Sequence, residues 1–588
     1  MAFEVTPIIE KYVNSSGKTI LNACPGSGKT SAISYKLSQL IPDWDRRFSR
    51  FCGIACLSFT NVAKDEIYKK YVEFTKISLD YPHMASTIDS FINSQITLPH
   101  YHLLGYPIKR PKIIEDETFL DTAWQQQKEN TDFKIKDDTK LLCYSYNASG
   151  IEKNIDGQYT WNGKIPNSSK VEPETFRRYC EALKKWQIKI GLIKTTDSAN
   201  IALHLLKKYP RIAQYLATRF PIIIVDEAQD TSEIQFAIFE ILADAGLNSL
   251  ELVGDPYQCL YEWRNAKPSL LIDKIQSPSD WNIIDFTDNR RSTMPIVRCF
   301  SKLRCQGDPH LIAVSKFDKE HPIYIFKHKE QCEHEAIEKY FDYCKTYDAN
   351  RVLVRGKTLK RKLLGGVSDG EDFWKSSIPA QLVYALSELE NHRVKDAIRL
   401  VRSLLPKITN PTSDYAQQRD LENELKQDHE ANALLLYLLR QLPKFELSVK
   451  DWTIQAQEIF YSILFDKFKI HQQIDFELKK GGKFPKLSKE PMEKFYGTIH
   501  RTTSLPISTI HQVKGMTLDS ALLFLSGNSS GQQLSIGDLH QPISFPTEKQ
   551  RLMYVAMSRP RYLLAIGLPD TVSNDDIKLH FGSDILVE

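Results

Sequence analysis

Residues 19–30 read TILNACPGSGKT, an apolar run that turns into a glycine-rich loop and then a helical segment. Residues 23–30 form a Walker A loop in which Ala23 replaces the first glycine. Gly26 and Gly28 let the backbone curl so that its N–H groups, that of Ser27 among them, face phosphate oxygens. Lys29 is expected to pair with the β and γ phosphates, and Thr30 to place its hydroxyl on Mg²⁺. Strand, loop and helix in this order point to an α/β fold that binds a nucleotide. Alone, they do not say what the nucleotide drives.

A second stretch, FPIIIVDEAQD at 220–230, completes the chemistry. An apolar strand delivers two carboxylates at its C-terminal end, where α/β sheets bind ligands. Asp226 is expected to hold Mg²⁺ and Glu227 to polarise an attacking water; neighbouring residues at a strand end point to different sides, which suits two tasks. Further short apolar runs recur at 54–59, 250–253, 323–326, 352–354, 521–525 and 563–566. They read as buried strands separated by helices.

The rest of the 588-residue sequence is globular in composition, 42% hydrophobic and 26% charged. A net charge of +4 excludes a histone-like polycation but leaves room for a local basic groove. Ten cysteines, with no CxxC, argue against a disulfide scaffold or a structural zinc. The N-terminus lacks a signal-peptide core, and no apolar window is long enough to span a bilayer. A cytoplasmic protein with no membrane partner is the expectation.

Two regions interrupt the strand–helix rhythm and read as insertions. One, about 95–205, contains the polar stretch YSYNASGIEKNIDGQYTWNGKIPNSS followed by charged helices. The other, about 366–500, is helical in pattern, with DLENELKQDHEANALLLYLLRQL at 420–442 as its clearest helix, ended by Pro443. LKKGGKFPKLSK at 478–489 reads as a solvated linker, with a nucleic-acid contact as the alternative.

Taken together, these stretches resemble the superfamily 1 DNA helicases of the UvrD/Rep/PcrA type. ACLSFTNVAKDEI (55–67), STIDSF (86–91), ELVGDPYQCLYEWRNA (251–266), DNRRST (288–293), ANRVLVRGKTLKRKL (349–363), STIHQVKGMTLDSALL (508–523) and QRLMYVAMSRPR (550–561) follow the family's motifs in order. The resemblance implies two RecA-like P-loop domains, parallel sheets flanked by helices, each with a largely helical inserted subdomain. The expected divisions are 1–94 and 206–278 for the first domain, around an insert at 95–205. The second domain is expected at 279–365 and 501–588, around an insert at 366–500. ATP with Mg²⁺ would lie between the domains. Gln258 would sense the γ phosphate, and Arg291 and Arg559 would reach it from the second domain; guanidinium is planar, permanently charged and bidentate toward phosphate. Phe59, Thr60, Asn61, Tyr261, Trp263, Arg264, His511 and Lys514 would line single-stranded DNA, where aromatic rings and arginine planes stack on bases.

The sequence departs from that family at several nucleobase positions. PIIEK at 7–11 supplies no adenine-reading glutamine. Arg290 stands where a tyrosine stacks on the base, and Thr517 where a glutamate meets the ribose. Asp89 replaces a histidine and would repel a DNA phosphate. The implied activity is an ATP-dependent motor moving 3′→5′ on single-stranded DNA and acting on tailed duplexes. The alternative is an ATPase or DNA-sensing subunit beside an OLD-type nuclease, because the HQVKGMTLD and AMSRPR variants are similar to UvrD-like subunits of Gabija-type antiphage systems. A P-loop switch that never touches nucleic acid fits YEW and the paired arginines poorly.

Overall fold

The structure is a computed structural model of the chain. It describes residues 3–588 except 107, 109, 115–119, 122–123, 125–142, 144, 167–170, 263–265, 316, 319, 331, 364–372, 391–393, 410–420, 423, 469–475, 482–483, 497–504, 529–530, 532 and 583.

Two six-stranded sheets form the body, and every strand pair in them is parallel. The first runs Asn282–Phe286, Gly17–Ala23, Ser249–Gly254, Ile222–Asp226, Ile54–Ser58, Met84–Thr87. The second runs Ile507–Thr509, Asn350–Val354, Leu518–Phe524, Pro560–Pro569, Ile323–His328, Ile585–Val587. Parallel strands need helical crossovers, which cover both faces. Along Ile222–Asp226, Ile223 and Val225 enter one core while Ile222 and Ile224 enter the other. The second sheet repeats this, with Leu523 on one side and Leu522 and Phe524 on the other. Alternation of two apolar faces explains why these strands read as continuous apolar runs.

Each sheet carries an insert with its own core. The first is built around Trp124, Phe176, Tyr179 and Leu183 and includes a hairpin, Ile151–Lys153 with Tyr159–Trp161. The second packs helices Ser377–Glu390, Val394–Arg402, His429–Gln441 and Val449–Phe468 around Trp374, Trp452 and Phe460. Within the basic stretch 478–489, Leu478 bridges to Trp374 and Phe484–Leu487 is a short helix, so this segment is folded against the insert. No described helix is long and apolar enough to cross a membrane.

Three expectations change. The division at 278/279 moves, because Asn282–Phe286 pairs with Gly17–Ala23 and completes the first sheet. The end of the first insert moves back from 205, because helix Thr195–Lys208 buries Ala202, Leu203, Leu205 and Leu206 in the first sheet's core. The helix expected over 420–442 is broken at Asp428, whose extended backbone and side-chain bond from Ala431 N–H start a new helix at His429. A capping aspartate inside an apolar period competes with helix continuation.

One buried ion pair anchors helix Lys29–Leu40, which follows the glycine-rich loop. Lys36 Nζ lies 2.7 Å from Glu251 Oε1, and both side chains are 1% exposed. The same ammonium donates to Tyr12 O and Ser15 O, each at 3.0 Å. It therefore ties that helix to the strand Ser249–Gly254 and to the N-terminal helix Pro7–Val13. Removing one partner strands the other charge in the interior. Lys36→Met is predicted to destabilise the first domain by about 3–5 kcal/mol. In urea unfolding, Lys36→Met/Glu251→Leu should lose less than the sum of its two single variants.

Candidate active site

The carboxyl ends of the first sheet's strands meet the second domain in a cleft of about 1340 Å³. Gly28, in left-handed conformation (φ 88°), caps helix Lys29–Leu40. Ser27 Oγ donates to Cys24 O at 2.8 Å, holding the loop closed, and Lys29 Nζ lies 3.4 Å from Ala23 O. The loop is gripped from outside as well. Asn289 Nδ2 donates to Pro25 O (2.6 Å), and Arg290 N–H to Gly26 O (2.9 Å). A methyl at Gly26 would come within 2.5 Å of Arg291 Cβ, so glycine is required by the close approach as well as by its φ of +71°. Arg290 lines the same cleft, with Nη1 3.4 Å from Ser27 O and Nη2 3.3 Å from Asp288.

Asp226 ends its strand, and Glu227 follows with φ 53°, a left-handed non-glycine residue of the kind that collects at functional sites. Burial and the neighbouring Glu227 push the Asp226 carboxyl upward. Glu227 is held below the usual range: burial opposes this, but Lys29, Lys514, a hydrogen bond from Gln229 and Arg559 outweigh it. Asp226 Oδ1 is buried without a hydrogen-bond partner. With Thr30 on the same cleft wall, that free oxygen fits a hard cation brought in with a nucleotide. Among the described residues, no cluster of three or more His, Cys, Asp or Glu could hold a metal by itself. Phosphate oxygens and water would have to supply the remaining ligands.

Across the cleft, Arg559 is buried and donates from Nη2 to Gln258 Oε1 at 2.6 Å. Gln258 Nε2 donates in turn to Asp255 Oδ2 at 2.8 Å, which also accepts from Tyr554 OH at 3.1 Å. Arg291 Nη1 donates to Ser558 O at 3.1 Å. Burial, then the nearby Arg559, pushes Arg291 down to about 9. Two adjacent cations of this kind favour a polyanion between them.

Phe59 and Tyr261 lie beside this cleft, stacked with centroids 5.1 Å apart and planes at 27°. Lys514 Nζ sits 4.5 Å from the Tyr261 centroid and is ion-paired with Asp230, the two side chains being 8% and 1% exposed. Lys514 was expected to face DNA; here its ammonium is turned inward to join the domains. Thr60 accepts from Ala63 N–H and caps the helix that begins at the exposed Asn61. His511 is half-buried, and burial lowers its pKa. Asp89 accepts from Gln235 Nε2 at 2.9 Å, so its carboxylate is engaged with a neighbouring helix. Thr517 lines the cleft. Trp263 and Arg264 lie outside the described residues.

Sequence reading missed the residues that hold the site together. Gln229 bonds Glu227 through its amide and accepts from Asp255 N–H at 3.1 Å, joining two motifs. Asp255, Tyr554 and Asp230 do comparable work. All four lie inside quoted motifs, but only their spatial pairing gives them roles.

Fold and site together define a P-loop protein with two RecA-like domains facing one cleft. Residues 5–279 match the UvrD/REP helicase N-terminal domain family. The chain is 27% identical over 290 residues to a "Probable DNA helicase II homolog" of Mycoplasma capricolum, covering 46% of this chain and 37% of that protein. It is 24% identical over 429 residues to the ATP-dependent DNA helicase PcrA of Staphylococcus epidermidis, covering 70% and 54%. The corresponding Staphylococcus aureus protein is 23% identical over the same shares. The chain thus spans about half the length, or less, of these curated relatives. Over residues 5–279 it is similar to the UvrD/REP helicases, and over a longer stretch, at lower identity, to the PcrA proteins.

Gly26→Ala should drive the loop away from Arg291. A fluorescent-nucleotide titration should show at least ~10-fold weaker binding, a loss of about 1.4 kcal/mol. Gly307→Ala, which carries a strained φ of +94° but meets nothing within 4 Å, should leave binding unchanged.

Proposed function

We propose that the chain is an ATP-dependent DNA translocase and helicase that moves 3′→5′ on single-stranded DNA. One observation carries the reading. Gln258, bonded to Arg559 across the cleft, lies three residues before Tyr261, which stacks on Phe59. A four-residue segment therefore joins the phosphate side of the cleft to an aromatic pair suited to nucleic-acid bases. The names of the relatives, an ATP-dependent DNA helicase among them, support the same reading.

In this reading Ala23, Gly26, Ser27, Gly28 and Lys29 cradle the triphosphate. Thr30 and Asp226 hold Mg²⁺, which would supply charge neutralisation at the phosphates. Glu227, kept ionised by the surrounding cations, orients the attacking water. Gln258, Arg291 and Arg559 bind the charge that develops on the transferred phosphoryl group. Arg290 stacks on the base, without the amide that would read adenine edgewise. Phe59, Thr60, Asn61, Tyr261, Trp263, Arg264 and His511 contact the strand. Lys514 joins them once it is released from Asp230.

Mg²⁺-dependent ATP hydrolysis, measured with and without single-stranded DNA, tests this. Strong stimulation is expected, with Lys29→Ala inactive and Arg559→Ala slower by roughly 10³-fold. The stimulation should weaken with salt, because strand contacts release counterions. A 3′-tailed duplex should be unwound in preference to a 5′-tailed one. Hydrolysis indifferent to DNA would overturn the motor and favour a regulatory subunit acting with a nuclease in antiphage defence.

A further inference from the structure

Helix Glu548–Met557 carries the cleft's arginine just past its C-terminal end, and a second buried arginine in its first turn. Arg551 is 3% exposed. Its Nε donates to Cys259 O at 2.9 Å and its Nη1 to Pro546 O at 2.6 Å. Its Nη2 is ion-paired with the Glu262 carboxylate. Two of these three partners belong to the first domain, on the segment that follows Gln258.

Arg551 acts together with two other residues. Tyr554 OH donates to Asp255 Oδ2, and Arg559 to Gln258 Oε1. Positions 551, 554 and 559 lie along one side of the helix and its immediate extension. Three side chains from this side hold residues 255–262. The helix is stiff, with a reciprocal cap between Thr547 and Gln550, and Gln550–Met557 is buried throughout. Residue 262 immediately precedes Trp263 in the sequence.

We propose that Arg551 is a positioning residue that fixes the segment leading into the base-stacking residues to the second domain. A closure sensed between Gln258 and Arg559 then moves that segment as part of the same rigid contact. Guanidinium suits this task because its planar fork holds its donors in fixed directions toward two carbonyls and a carboxylate at once. Glu262 supplies the charge that selects this pairing. The inference rests on the reading that the cleft binds a nucleotide.

Hydrogen exchange of the full chain, with and without a non-hydrolysable ATP analogue and Mg²⁺, tests the inference without needing DNA. In the wild type, the analogue should slow exchange in both 23–31 and 255–262, the latter by roughly tenfold, an ordinary size for coupling between sites. Arg551→Gln should keep the slowing at 23–31 and lose it at 255–262, and Arg551→Lys should recover part of it. Glu262→Ala, at a half-exposed position whose loss does not threaten folding, should reproduce the Arg551→Gln pattern. Slowing at 255–262 that survives in Glu262→Ala and Arg551→Gln would overturn the proposal. So would loss at both segments together, which marks a merely structural role. No slowing at 23–31 in the wild type would remove the nucleotide reading itself, and the inference with it.

Discussion

The hydrogen bond between Gln258 and Arg559 constrains the rest of the architecture. It joins side chains 301 positions apart, one from each domain, in a place where both are buried. A buried guanidinium without partners is costly, so Arg559 requires an acceptor whenever the cleft is closed. Gln258 supplies one oxygen and Val555 O another at 3.1 Å. The γ phosphate of a nucleotide would add a stronger, charged one. Asp255 fixes the other end of Gln258, so the amide presents its oxygen rather than its nitrogen to the arginine.

Everything needed to deliver that bond follows from two parallel sheets. The strand Ser249–Gly254 lies between Gly17–Ala23 and Ile222–Asp226, so Gln258 emerges between the phosphate loop and the paired carboxylates. In the second sheet, Pro560–Pro569 begins directly after Arg559 and is paired on both sides, which leaves the arginine little freedom. The interface core continues across the domains. Cys24, Tyr257 and Leu260 of the first pack with Ile510, Leu552 and Ala556 of the second. Lys514 with Asp230, and Arg551 with Glu262, add charged pairs at its margins.

Much of this was legible in the sequence where chemistry is written in contiguous residues. TILNACPGSGKT and IIIVDEAQD combine strand pattern and site residues in one stretch, and all eight apolar runs fall within or overlap strands. What was not legible depends on pairing at a distance. NIIDF at 282–286 is too polar and brief to declare its sheet; only its register against Gly17–Ala23 assigns it. Helix Thr195–Lys208 looks like the rest of its charged neighbourhood until Leu203 and Leu206 are seen in the first core. Lys514 lies in a motif associated with DNA, yet its ion pair with Asp230 is made across the domain interface. Glu262 and Arg551 are unremarkable singly, and their partnership spans 289 residues.

A double-mutant cycle on ATP hydrolysis, using Gln258→Ala, Arg559→Ala and the pair, tests the central claim most directly. If the two residues act as one unit across the cleft, the double variant should be about as slow as the slower single variant, because residues that act together are strongly non-additive. Effects that simply add would contradict the account, since they would mean that Gln258 and Arg559 work independently.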